Sequence, residues 1–158
     1  MKDGMEKQYR YFAHTGVCSD QSDWQTLSDH LNQVAAIALK NAYYFPTSDW
    51  AEVAGLLHDL GKYTREFQAR LKGATQRVDH ATAGAQVAFE RWGVMGKMLA
   101  FCIAGHHAGL ANGADDGKNR STLQARLSLD YLNCIPDLDY QWEMEITLPE
   151  RLNSPAAF

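Results

Sequence analysis

The feature that most restricts the fold is a helical stripe that recurs along the chain with few interruptions. Over residues 24–43, Leu27, Leu31, Val34, Ala35, Ala38 and Ala42 fall on one face, the period of an amphipathic helix. Ser22 with Gln25 reads as its capping box, and Pro46 stops it. Asp49 and Glu52 open a second helix, apolar through Trp50, Val53, Ala54 and Leu57 and ending near Gly61. Residues 64–71, 79–92, 95–106 and 121–132 carry the same period, the last with a Ser121/Gln124 capping box. The Gly- and Asn-rich stretch 109–120 reads as a loop. The expectation is an all-α bundle of about six helices, forming one domain over residues 1–158.

The tail departs from this period. Over residues 140–148, Trp142, Met144, Ile146 and Leu148 alternate with Gln141, Glu143, Glu145 and Thr147, the pattern of a half-buried strand. No other segment offers it a partner, and a lone strand leaves its backbone groups unpaired. This short strand-like tail therefore reads as the point where the N-terminal domain of a longer chain is cut before its C-terminal portion.

Composition removes several classes. With 158 residues, 46% of them apolar and 22% charged, the chain is neither disordered nor a disulfide-framed miniprotein. No apolar run reaches membrane-spanning length, and MKDGMEKQYRYF is not a signal peptide. Three cysteines without a CxxC pair read as reduced thiols, and so as a cytoplasmic protein with no membrane partner. A net charge of −4 is unlike a protein whose main task is gripping duplex DNA. The most basic stretch sets Lys62, Arg65, Arg70, Lys72 and Arg77 against Glu66 alone, and reads mostly as a solvated helix face with a loop.

The histidines carry the chemistry. His30 lies on the first helix's apolar stripe, and His58 and Asp59 close the second helix after Ala54-Gly55-Leu56-Leu57. His80 opens the fourth helix, and the adjacent His106 and His107 end the fifth. Taken singly, each is an ordinary core or terminal residue. Together they are too many polar groups for a core of this size without a centre that satisfies them. Imidazole and carboxylate donors suit first-row divalent metals, and the missing cysteine pair argues against structural zinc. The two oxygens of Asp59 could bridge two ions.

His58-Asp59-Leu60-Gly61-Lys62, within GLLHDLGKYTREFQ, resembles the core motif of the HD superfamily of metal-dependent phosphohydrolases. YFAHTG, WQTLSDHLNQVAAIA around His30, VDHATAGA around His80 and IAGHHAGL around the pair narrow it further. Over roughly Tyr11 to Leu110, the chain resembles the HD nuclease of type I CRISPR systems, a domain of the helicase–nuclease effector or a separate protein.

The resemblance implies a metal held by His30, His58 and Asp59, with Asp59 bridging to a second held by His80, His106 and His107. One or two divalent ions are implied, among manganese, nickel, cobalt, iron, magnesium and zinc. Lys62 matches the family lysine, which stabilises phosphate charge or orients water, and shares the catalytic role with Asp59. His14 matches a position beside the ligands or at the entrance. A further family Asp well downstream has no match here. Asp130, in ARLSLDYLN, reads as an ordinary exposed residue rather than a ligand, and Asp115 and Asp116 as solvated turn residues or weak ligands.

The implied activity is metal-dependent hydrolysis of single-stranded DNA in CRISPR interference, an antiviral defence. The implied partners are a helicase domain in cis or trans and the RNA-guided surveillance complex. Tyr63 and Phe67 are candidates for stacking on bases, with core packing the alternative for Phe67. The rival readings are an HD phosphohydrolase acting on nucleotides and a non-catalytic metal-binding module.

Overall fold

The computed structural model describes residues 9–107, 109–113 and 122–154; Asp115, Asp116 and Ser121 lie outside them. The described residues fold as a mostly helical bundle. Its elements are β1 (Phe12–His14), β2 (Gln25–Thr26), α1 (Leu27–Asn41), α2 (Ser48–Leu57), a 3-10 turn (Leu60–Lys62) and α3 (Arg65–Leu71). α4 (Thr82–Gly105), α5 (Leu123–Arg126), α6 (Leu129–Leu132) and α7 (Gln141–Glu145) follow.

The first helix starts later than its stripe suggests. Residues Gln25–Thr26 pair antiparallel with β1, and Thr26 rather than Ser22 becomes the N-cap, its hydroxyl accepting from the Asp29 N–H. α1 then buries Leu27, Leu31 and Ala35 against α2, which buries Val53, Leu56 and Leu57 in return. The second helix ends at Leu57, and the expected last turn tightens into the 3-10 turn.

α4 joins two stretches expected as separate helices. Its backbone kinks at Gly93, where φ is 56° and ψ −120°, a conformation an L side chain adopts only under strain. The two limbs bury Ala85, Ala88 and Trp92 on one side of the kink and Leu99, Ala100 and Ile103 on the other. The first limb begins at Thr82, not Asp79. Asp79 instead serves as a cap, its carboxylate accepting from the Ala81 and Thr82 N–H groups and from the Thr82 and Tyr131 hydroxyls. The stretch expected as one helix over 121–132 is two short helices, because Ser128 stops α5 and caps α6.

The tail corrects the expectation of a strand over 140–148. Asp139 accepts from the Gln141 N–H, and Gln141–Glu145 closes as α7. With no partner strand among the described residues, they satisfy their backbone locally. Gln141 also donates to the Tyr9 carbonyl and the Glu145 carboxylate. Period two survives only beyond α7, where the backbone is extended at Ile146 and Ile146 and Leu148 are buried on either side of exposed Thr147. No helix among the described residues is long and apolar enough to cross a membrane.

Candidate metal centre

The centre forms where α1, the end of α2, the start of α4's first limb and the end of its second limb meet. Asp59 is at the middle and 4% exposed. On one side, the His30 and His58 Nε2 atoms each lie 3.2 Å from Asp59 Oδ2 and 3.2 Å from each other. On the other, His80 and His106 Nε2 lie 3.5 and 3.4 Å from Asp59 Oδ1, and His107 Nε2 is 2.7 Å from His80 Nε2. The ligand atoms within each set lie inside 4.8 Å of one another. Two donors about 2.1 Å from a shared ion stand about 3.0 Å apart in octahedral geometry and about 3.4 Å apart in tetrahedral geometry. Most of these separations match that spacing.

The hydrogen bonds behind the rings sharpen the reading. His58 Nδ1 lies 2.7 Å from the Gly55 carbonyl oxygen and His106 Nδ1 lies 2.7 Å from that of Ile103. A carbonyl only accepts, so each Nδ1 carries the proton. In the neutral ring, Nε2 then presents a lone pair to Asp59. Lone pairs aimed at a carboxylate repel unless a cation, proton or metal ion, stands between them. Asp59 Oδ1 is itself buried without an aligned donor. A lone-pair set facing an orphaned carboxylate oxygen fits a divalent cation.

The electrostatics agree. Burial alone would raise the Asp59 carboxyl, but the close imidazoles of His106, His30 and His58 and the Lys62 ammonium outweigh it and hold it far below the usual range. Burial pushes His80 and His107 down, and the neighbouring His106 lowers His107 further. Burial also opposes charge on His106, yet the nearby Asp59 carboxylate and the bond to the Ile103 carbonyl carry it upward. The cluster is thus an ionised carboxylate among imidazoles, a set that exchanges protons for metal.

Lys62 is not a surface residue. It is 5% exposed, with Nζ 2.8 Å from Asp59 Oδ2 and donating to the Ala13 carbonyl at 3.1 Å. His14, on β1, is exposed; its ring meets that of His30 edge-on with centroids 4.9 Å apart. Burial and the charge of Lys62 lower its pKa. Asp130 is exposed on α6 and belongs to neither donor set. The set around His30 therefore has three protein donors among the described residues. Neither aromatic candidate is free to stack on bases. Tyr63 is fully buried, donating to Glu145 at 2.7 Å, and Phe67 is 6% exposed with its ring packed on His80.

Sequence reasoning passed over Gln68. It is fully buried on α3, accepting from the Phe12 N–H at 3.0 Å and donating to the Phe12 carbonyl at 3.0 Å and the Lys62 carbonyl at 2.9 Å. This amide ties β1, and with it Ala13 and His14, to the turn that carries Lys62. On an amphipathic helix it has no local signal distinguishing it from a solvated glutamine. Gln68→Met keeps the volume but orphans three backbone groups. It is expected to destabilise the fold by about 3 kcal/mol or more, read by thermal unfolding, at roughly 1–3 kcal/mol per orphaned group.

A comparison with curated proteins found no match. The HD domain family, by contrast, matches residues 27–152, most of the chain and all of the donor set. The chain therefore belongs to the HD domain family, and that membership together with the histidine–aspartate cluster supports a metal-dependent phosphohydrolase.

Proposed function

We propose that this protein is a nuclease that hydrolyses phosphodiester bonds of single-stranded DNA in CRISPR interference. It would act with a helicase domain, in cis or trans, and an RNA-guided surveillance complex, as the N-terminal domain of a longer chain. The observation that carries the reading is two histidine sets converging on the two oxygens of one buried aspartate. The succession of motifs around His14, His30, His80 and His106 supports the narrower assignment.

Divalent ions held there would supply a water of lowered pKa and positive charge for the scissile phosphate. His30, His58 and Asp59 would hold one ion, and Asp59, His80, His106 and His107 the other. The carbonyls of Gly55 and Ile103 hold two of these rings in the ligating tautomer. Lys62 fixes the Asp59 carboxylate, and the one N–H beyond its two bonds donates to a phosphate oxygen or a water. The His106 and His107 side faces solvent, so a strand can reach the centre.

The test is metal-dependent cleavage of a labelled single-stranded DNA circle with manganese, nickel, cobalt, iron, magnesium or zinc in turn. A His58→Ala/Asp59→Ala protein runs beside it. Cleavage in at least one metal, lost in the double variant and on chelation, is the expected result. Cleavage of nucleotides but not of DNA, or no turnover in any metal, would sink the nuclease reading.

A further inference from the structure

Residues 62–80 form an excursion that leaves and rejoins the metal centre. Lys62 holds Asp59 at one end and His80 faces it at the other. The Gly61 N–H donates to the His80 carbonyl at 3.1 Å and closes the excursion. Within it, α3 turns Phe67 and Gln68 inward and leaves Arg65 and Arg70 exposed. Lys72, at the C-cap, and Arg77, shortly before His80, are exposed as well. Glu66 is the one acid between Lys62 and Asp79. Four exposed basic side chains against one acid, on a chain of net charge −4, are a segregated positive rim.

Half of the rim's charges are uncommitted. Arg70 and Arg77 have no ion pair or hydrogen bond among the described residues, although Arg65 pairs with Asp139 at 3.2 Å. Arg70 stands one turn after Phe67, whose ring packs on His80 with centroids 4.9 Å apart. At the outer end, the Arg65 guanidinium lies 3.7 Å from the Tyr9 ring centroid and Lys72 Nζ donates to the Tyr9 hydroxyl at 3.3 Å.

We infer that this rim, Arg65, Arg70, Lys72 and Arg77, is the track along which the sugar–phosphate backbone of a single-stranded nucleic acid reaches the metal centre. The inference rests on the phosphodiesterase reading above and names the surface that would hold its substrate. Because Tyr63 and Phe67 are buried, the track grips phosphates rather than bases, and binding is indifferent to sequence.

The test measures binding of a labelled oligothymidylate of about 20 nucleotides to the metal-free protein by fluorescence anisotropy over a salt series, so it needs no turnover. Arg70→Gln/Lys72→Gln/Arg77→Gln is expected to weaken binding about tenfold or more at low salt. The log–log salt slope should fall by about 2, at about 0.7 per phosphate contact on a single strand. Lys40→Gln/Lys97→Gln removes charge from exposed sites on α1 and α4 and should change neither quantity. Thermal unfolding within about 2 °C of wild type would show that both variants fold.

An unchanged slope in the triple variant, equal weakening in the control, or no binding by the wild type overturns the track. Hydrolysis of bis(p-nitrophenyl) phosphate by the wild type with added metal reports on the centre alone. A protein that cleaves this diester but binds no oligonucleotide loses the track and keeps the phosphodiesterase reading. One that binds through the rim but cleaves nothing loses the phosphodiesterase reading instead.

Discussion

Replacing Asp59 with Asn should cost at least about 10³-fold in the phosphodiester hydrolysis proposed above, while the chain still folds. Asp59 supplies an oxygen to both donor sets, so the loss of its charge weakens both together. The same change leaves Lys62, 5% exposed, without its counter-charge. Removing one partner of a buried pair costs about 3–5 kcal/mol, so the metal-free variant should also melt well below the wild type. Metal binding separates these two effects. Ligand at about 100 times its Kd stabilises the folded state by about 2.7 kcal/mol, and wild type should show the corresponding rise in Tm. Asp59→Asn should show almost none. A variant that still gained the full metal-induced rise would place the ions elsewhere.

Gly84→Ala is expected to destabilise the fold strongly by adding a single methyl where α4 meets the end of α2. A Cβ at position 84 would sit 1.9 Å from the Leu57 carbonyl oxygen and 3.2 Å from Ile103 Cγ2. The first contact is with backbone, which cannot swing aside. The first limb of α4 must therefore withdraw from the end of α2, opening the core around Leu57 and Ile103. A cost of about 3 kcal/mol is expected, lowering Tm by about 10 °C in a chain of this size. Leu57 precedes His58 and Asp59, and Ile103 holds the His106 ring through its carbonyl. The same withdrawal should thus weaken metal binding, measurable by calorimetry at a temperature where the variant is fully folded. An unchanged Tm would mean that α2 and α4 do not approach this closely.

Legibility differed between the helices and their ends. Long stripes such as Leu27, Leu31 and Ala35 were readable because each residue's burial is set by a period intrinsic to the helix. Where α1 starts was not, because β1 arrives from 13 residues earlier and claims Gln25 and Thr26. The tail failed for a related reason. Alternation at Trp142, Met144 and Ile146 signals a strand only if a neighbouring strand exists. Without one among the described residues, the segment folds as α7 and leaves Met144 64% exposed.

At the centre, the unusual placement of His30, His58, Asp59, His80, His106 and His107 could be seen in the chain itself. Imidazoles and a carboxylate at the apolar or terminal positions of several helices demand an explanation that leucines there would not. The burial of Lys62 could not be seen, since lysine after a helix end is ordinarily solvated. Nor could the Gln68 clamp, whose partner Phe12 is 56 residues away.

The order of residues alone thus determined that the chain is helical, that histidines and Asp59 stand at apolar or terminal helix positions, and that their atoms are metal donors by type. These follow from side-chain chemistry and from a period spanning a few residues. Only tertiary structure decided which donors face which oxygen of Asp59, that Lys62 pins that carboxylate, and that the basic stretch leaves the centre at Lys62 and returns to it at His80. Each of those depends on a distance between segments far apart in the chain. Such distances arise from packing constraints like the contact of Gly84 with Leu57, and no local pattern encodes them.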